Sequence, residues 1–204
     1  MAENPLVTVL VITYNSSKYV LETLESVKAQ TYKNLELIIS DDCSSDNTIS
    51  VCEEWLNSKK NLSFNYRIIT TNQNTGTPRN CNRGLNAATG KWVKLIAGDD
   101  VLKNDCIKQN FEHAEKSVND IALVVSYYSR FKVEDNIKKK INGISFSESI
   151  VKRINNSSKK QKTLDLIQSK YNFPGCVFFF HRKKILEVGG FDEDFKRIED
   201  LPLL

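Results

Sequence analysis

The sequence predicts an α/β protein built on a mainly parallel, layered sheet. Three observations lead there. Short β-branched runs alternate with stretches of helical period through the first half of the chain. Two of those runs end on adjacent aspartates, Asp41-Asp42 and Asp99-Asp100. The 204 residues suffice for one domain with a sizeable core.

The elements follow in order. "LVTVLVIT" suits a strand buried on both faces. Ser16 or Ser17 is placed to cap a helix with Val20, Leu24 and Val27 on one face, the i, i+4, i+7 pattern. "LELIIS" is a second strand. Asp46 is placed to cap the next helix, with Ile49, Cys52 and Leu56 inward. "FNYRIIT" is a third strand. Thr77 as N-cap and Pro78 at the first helical position open another helix, closed by Gly90, with Cys81, Leu85 and Ala88 as its apolar face. "KWVKLIA" is a fourth strand. A helix from about Asn104 carries Ile107, Phe111, Ala114 and Val118, and "ALVVSYY" is a fifth strand. Residues 130–160, rich in Lys, Asn and Ser, read as a long loop or mobile insertion. Beyond them come a short helix in "QKTLDLIQSK", an apolar strand in "CVFFFHR", a helix in "KKILEVGG" and the acidic stretch "FDEDFKRIED".

Composition narrows the class. Hydrophobic residues make up 40% and charged residues 26%, as in an ordinary globular chain. No apolar run approaches the roughly 20 residues of a membrane span, and the N-terminal run reads as a strand, not a signal peptide. Five cysteines with no CxxC pair point to reduced thiols in a cytoplasmic protein, not to a disulfide frame or a zinc site. A net charge of +4 is too modest to imply nucleic acid. The charge is uneven, with ten Lys/Arg against three Asp/Glu between Arg130 and Lys162. That basic stretch suits anionic lipid headgroups or a phosphorylated acceptor, set against the plainer reading of a solvated loop.

In parallel sheets ligands gather at the carboxyl ends of the strands, where both aspartate pairs fall. Asp99 and Asp100 on one loop form a hard oxygen site suited to Mg²⁺ or Mn²⁺ bridging to phosphates. The alternative is a loop of solvated acids. Asp41 or Asp42 suits the hydrogen-bond donors of a base or ribose, although a turn and helix cap would also use an acid there. Thr13, Tyr14 and Asn15 end the first strand, where a loop can stack on or hydrogen-bond a base. Arg79 and Arg83, at i, i+4, suit phosphate oxygens or simply a solvated helix face. Glu199-Asp200 offers a carboxylate, the simplest general base for a hydroxyl nucleophile, beside the reading of an exposed acidic turn. His113 reads as surface and His181 as structural. A P-loop near-miss at Gly84 and Gly90-Lys91 has the wrong spacing, and no GxGxxG is present.

The order "VTVLVITYN", "LELIISDDCSSDNT", "GTPRNCNRGLNAATGKWVKLIAGDD", "GGFDEDFKRIEDLPLL" resembles the family 2 glycosyltransferases of GT-A fold over almost the whole chain. The resemblance implies a Rossmann-like α/β/α sandwich that binds the donor nucleotide with Thr13, Tyr14, Asn15, Asp41, Asp42, Arg79 (at the "ARN" position) and Asp99. It implies Asp100 as ligand of Mn²⁺ or Mg²⁺ and Asp200 as catalytic base. The reaction implied is an inverting transfer from a nucleotide sugar, UDP-sugar favoured, to a glycan or lipid-linked acceptor in cell-surface polysaccharide synthesis. The enzyme is expected in the cytoplasm, with peripheral contact at the inner face of the membrane. One domain spans 1–204, with a nucleotide-sugar half at 1–129 and a partial acceptor-side half at 130–204. Two departures stand out: Ala97 occupies the place of the first acid of D-x-D-D, and "EDLPLL" has Pro202 in the stretch after "ED", where relatives carry a Leu-Trp pair. The chain then stops, so a truncated donor-binding fragment without acceptor recognition is the competing expectation. A nucleotidyltransferase is a third, without a Gly-rich triphosphate loop to support it.

Overall fold

The computed structural model describes residues 4–58, 62–117, 120–134, 137–141, 156, 158 and 175–194. The chain divides into two compact units, 1–124 with 174–204, and 125–173.

The first unit holds β1 (Val7–Thr13), α1 (Val20–Lys28), β2 (Leu35–Asp41), α2 (Thr48–Ser58), β3 (Asn65–Ile69), α3 (Thr77–Ala87), β4 (Trp92–Ala97) and α4 (Cys106–Lys116). β5 (Leu123–Val125) follows, and later a 3-10 turn (Gly175–Val177), β8 (Phe178–His181) and α5 (Arg182–Glu187). The six-stranded sheet has the order β3-β2-β1-β4-β8-β5. β1 pairs parallel with both β2 and β4, β2 pairs parallel with β3, and β8 runs antiparallel to β4. Every residue of β1 and β2 is buried; β1 accordingly reads as an unbroken apolar or β-branched run, whereas β2 carries Glu36, Ser40 and Asp41 among its apolar residues.

Alternate side chains divide the core. Val7, Val9 and Val11 of β1 join Leu37 and Ile39 of β2 in a cluster with Leu24 of α1, Trp55 of α2 and Ile107 of α4. Leu10 points the other way and lies against Gly84 of α3, where a Cβ would come within 2.2 Å of its side chain. The sheet is thus covered on both faces, as right-handed crossovers from parallel strands require.

Several local readings shift. Neither Ser16 nor Ser17 caps α1 by its side chain: the helix opens at Tyr19, and the Ser16 carbonyl accepts the amides of Tyr19 and Val20. The N-cap of α3 is Gly76, at φ 91°, so Thr77 is already helical. α3 ends at Ala87, and Gly90 serves a close approach instead of a helix stop. A Cβ there would come within 2.6 Å of the Thr8 amide nitrogen. His181 packs edge-on against Trp92, the structural role expected of it, and His113 is exposed.

In the second unit, the expected loop is in part a hairpin. β6 (Phe131–Glu134) pairs antiparallel with β7 (Ile137–Lys140), Phe131 opposite Lys140. Phe131 and Val133 do alternate with Lys132 and Glu134, but the high lysine content hides so short a period. "QKTLDLIQSK" and Val118 lie outside the described residues. Among the described residues no helix is long and apolar enough to cross a membrane.

Glu36 is buried mid-sheet at the amino end of β2, accepting from the Thr8 and Thr89 hydroxyls and from the Thr89 and Gly90 amides. Burial alone would raise its pKa, but these hydrogen bonds together hold it below the ordinary glutamate value. Its contribution to stability is therefore present above the unfolded-state pKa and is lost as pH falls through the lower folded value. Glu36→Gln is expected to lose about 1–3 kcal/mol at pH 7. The difference from wild type should shrink below about pH 4 in urea melts run across the acid range.

Candidate functional site

The sheet reverses its order at β1, with β2 on one side and β4 on the other. This is the switch point where parallel sheets open a crevice at their carboxyl ends. Thr13 pairs with Asp41 and Ile12 with Ala97, and the pairing continues one step further. The Asp42 amide donates to the Thr13 carbonyl at 3.0 Å and the Gly98 amide to the Ile12 carbonyl at 2.9 Å. The loops after β1, β2 and β4 therefore leave the sheet side by side. Gly98 permits the closest part of this packing: a Cβ would sit 2.8 Å from Thr13 Cγ2 and 2.9 Å from Ser16 Cβ.

Both aspartates at the exit of β2 are buried and fully engaged. Asp41 accepts from the Thr13 hydroxyl (2.7 Å) and from the amide and hydroxyl of Ser44. Asp42 Oδ1 accepts from the Thr75 hydroxyl (2.6 Å) and Arg83 Nη2 (3.0 Å), while Oδ2 accepts the Thr75 (2.9 Å) and Gly76 (2.7 Å) amides. These four donors use about all the lone-pair positions a carboxylate offers. Arg83 also reaches the Asp41 carbonyl, Asn80 Oδ1 and the Thr75 hydroxyl. Arg83 is therefore the interior arginine of the i, i+4 pair. Arg79 is half-exposed and donates from Nε to Glu193 at 3.0 Å.

The loop after β1 is clasped to the loop after β2. Asn15 Oδ1 accepts the Ser45 and Asp46 amides, and the Asn15 amide donates to the Ser44 hydroxyl. Asp46 accepts the Ser17 amide and both the amide and hydroxyl of Thr48. Desolvation opposes its charge, yet these hydrogen bonds bring its pKa down to about 2. Asn15 (φ 51°) and Cys43 (φ 66°) are the two non-glycine residues in the left-handed region among the described residues, and both lie in these loops. Such strain persists where the surroundings over-determine it, commonly at sites. Tyr14 projects from the clasp, 51% exposed, a surface open to a stacking partner.

Asp99 is exposed and Asp100 partly buried. The Asp100 backbone is fixed by its amide to the Ala97 carbonyl (3.1 Å) and by the Thr23 hydroxyl donating to its own carbonyl (2.8 Å). Burial first, and then the neighbouring Asp99 charge, raise the Asp100 pKa, opposed by hydrogen bonds from Ala97 and Cys176 and by the Lys94 charge. Two oxygen-donor acids in this state fit a hard divalent cation, whose charge would relieve both causes. Among the described residues no three His, Cys, Asp or Glu side chains form a cation cluster, so such an ion would complete its shell from substrate oxygens and water.

Asn82 of α3 joins its amide to both the carbonyl and the amide of Phe191 and to Glu193, tying "GGFDE" to the helix. Gly190, at φ 80°, lies so close that a Cβ would come within 2.6 Å of Asn82 Oδ1. Asp200 lies outside the described residues. Thr13, Asn15, Asp41 and Asp42 are thus brought into one hydrogen-bonded neighbourhood, with Tyr14 at its surface and the Asp99-Asp100 loop packed beside it through Gly98. Thr75, Gly76, Asn80 and Lys94 were not singled out in the sequence. The buried charge of Lys94 within a strand was the one signal that marked any of them.

An acid-lined switch point on a mainly parallel sheet defines an α/β protein with a crevice at the carboxyl ends of its strands. The chain belongs to glycosyl transferase family 2, whose family model matches residues 8–189. A Campylobacter jejuni relative, GalNAc(5)-diNAcBac-PP-undecaprenol beta-1,3-glucosyltransferase, is 28% identical over 191 residues, covering 94% of this chain and 56% of that protein. The crystal structure of Staphylococcus aureus TarS superimposes with a TM-score of 0.66 at 23% identity, over 95% of this chain and 32% of that one. A mannosyltransferase from Pyrobaculum calidifontis, solved with GDP-Man and Mn²⁺, gives 0.66 at 22% identity, over 95% and 49%. These structures establish the shared GT-A fold. The chain spans 20–45% of the length of three further curated glycosyltransferases or glycosyltransferase-like relatives.

Arg83→Met leaves the Asp42 carboxylate buried without its counter-charge. The expected loss is about 2–3 kcal/mol, toward the lower end for breaking a buried pair because Arg83 is itself partly exposed. Denaturant melts measure the loss, and amide exchange at Thr75 and Gly76 should quicken with it.

Proposed function

We propose that this chain transfers a sugar from a nucleotide-diphosphate donor, a UDP-sugar in the first instance, to a hydroxyl acceptor with inversion. The observation that carries the reading is the convergence of two acid-bearing strand exits on β1 in a family 2 chain.

Thr13, Tyr14 and Asn15 line the nucleoside side, with the Tyr14 ring as stacking surface. Asp41 and Asp42 serve the base and ribose, and Asp42 takes a base N–H in exchange for one of its four donors from the chain. Arg79 approaches the nucleotide from α3. Asp99 faces the diphosphate, and Asp100 would hold Mg²⁺ or Mn²⁺. When bound, the ion supplies Lewis-acid stabilisation of the leaving nucleoside diphosphate. The Asp200 carboxylate takes the acceptor hydroxyl proton as that oxygen bonds to the anomeric carbon and the bond to the diphosphate oxygen breaks on the opposite face. One displacement inverts the centre. Residues 1–129 form the donor half and 130–204 the acceptor side.

Polysaccharide synthesis at the cytoplasmic face of a membrane is the setting we infer, with a glycan or lipid-linked acceptor. The name of the Campylobacter jejuni relative, an undecaprenol-linked sugar acceptor included, supports it. The basic stretch from Arg130 to Lys162 suits the anionic headgroups such a membrane presents.

Calorimetric titration of UDP should show binding strengthened by Mn²⁺, and Asp100→Ala should remove the strengthening. Asp200→Asn should keep UDP affinity and lose about 10²-fold or more in kcat. UDP binding without any sugar transfer to hydroxyl acceptors would reduce the reading to a donor-binding module. Sedimentation with anionic vesicles is expected to exceed that with neutral ones at low salt and to fall as salt rises; equal sedimentation would end the membrane proposal.

A further inference from the structure

Helix α3 starts at the acid that closes the crevice: Gly76, its N-cap, gives its amide to Asp42 at 2.7 Å. Arg79 stands in the first turn of that helix, so its side chain starts beside the crevice. One turn further, Asn82 holds the segment that follows α5. Its Oδ1 accepts the Phe191 amide and its Nδ2 donates to the Phe191 carbonyl, both at 2.8 Å. A side-chain amide thus pairs with main chain in both directions, as a neighbouring strand would. Phe191 is buried and meets Phe180 of β8 edge-on, with ring centres 6.1 Å apart.

That anchoring gives Glu193 a defined place. Asn82 Nδ2 also donates to Glu193 Oε1 at 2.9 Å, and Arg79 Nε donates to Oε2 at 3.0 Å. The carboxylate cannot turn away from Arg79 without giving up Asn82. An exposed ion pair alone is weak, because two long side chains must be held in one geometry. Here the anion is already held, and only Arg79 has freedom to lose. The nitrogen used decides the consequence. Among the described residues Arg79 pairs through Nε alone. The terminal edge, Nη1 with Nη2, is the planar fork that matches two phosphate oxygens. An arginine held by Nε keeps that fork for a ligand and has less rotational freedom to give up on binding it.

We infer that Glu193, itself fixed by Asn82, is a positioning residue that holds Arg79 by Nε and so presents its Nη1–Nη2 fork to the donor diphosphate. The inference rests on the donor-site reading above. Glu193 acts through Arg79 and touches no reacting atom.

Calorimetric titration of UDP in the presence of Mn²⁺ tests it on the full chain. Glu193→Ala is expected to weaken UDP about two- to fivefold, the scale of an exposed ion pair. Removing a negative charge would by itself strengthen an anion's binding, so a loss reports orientation. Uridine, which has no phosphate, should bind Glu193→Ala and wild type alike. In Arg79→Ala, which lacks the fork, adding Glu193→Ala should cause no further loss. UDP affinity that is unchanged or improved in Glu193→Ala overturns the inference. So does an equal loss for uridine, or a full second loss in the double variant. A second measurement needs no donor. In NMR spectra of isotope-labelled arginine, the Arg79 Nε–H is identified by its absence in Arg79→Ala. It should exchange with solvent severalfold faster in Glu193→Ala, and equal rates overturn the inference. A wild type that binds no UDP sinks the donor reading, and the exchange rates then still decide whether Glu193 holds Arg79.

Discussion

Everything at the carboxyl edge depends on β1 being paired in parallel on both sides. β2 and β4 meet it in register, so Thr13, Asp41 and Ala97 end within one step of each other. Parallel pairing points all three strands the same way, and the loops that follow must open together. Two acid pairs separated by more than fifty residues of sequence become neighbours for that reason alone. Gly98 completes the approach by leaving room for Thr13 and Ser16.

A sheet covered on both faces leaves little water for charge, and the protein handles its buried ions in two ways. At the amino edge Glu36 is surrounded by hydroxyls and amides from Thr8, Thr89 and Gly90, a closed arrangement that ties the start of β1 to the end of α3. At the carboxyl edge Asp42 is closed in the same manner by Thr75, Gly76 and Arg83. Asp100 differs: its neighbours leave its charge disfavoured by burial and by Asp99. That contrast separates the acids that build the edge from the acid that a cation would relieve.

Much of this was legible from the residues. Val20, Leu24 and Val27, or Cys81, Leu85 and Ala88, recur at helical spacing because one face of each helix meets the sheet, and all six are buried. The strand exits were legible because a pair of adjacent aspartates does not extend an apolar run: Asp41 closes β2 and Asp42 lies beyond it. The helix starts were less so. Ser16, Ser17 and Thr77 are all good capping residues, but the close approach of neighbouring loops directed them elsewhere: Ser16 and Ser17 use their amides on Thr48 and Asp46, and Gly76 takes the left-handed turn before α3. The β6–β7 hairpin was hidden by lysines whose charge outweighed its alternation.

By itself the sequence determined the α/β class, the order of elements and the acids at the strand ends, because these follow from periodicity and from which residues tolerate burial. Only the tertiary structure decided which partners those acids have. Arg79 and Arg83 share a helix face on paper, yet one meets Glu193 at the surface and the other meets Asp42 inside. Lys94 reads as an interruption of a strand until β8 and its preceding turn bring the Cys176 carbonyl across 82 residues to receive it. Pairings over such separations depend on which strands lie side by side, and local spacing carries no record of that.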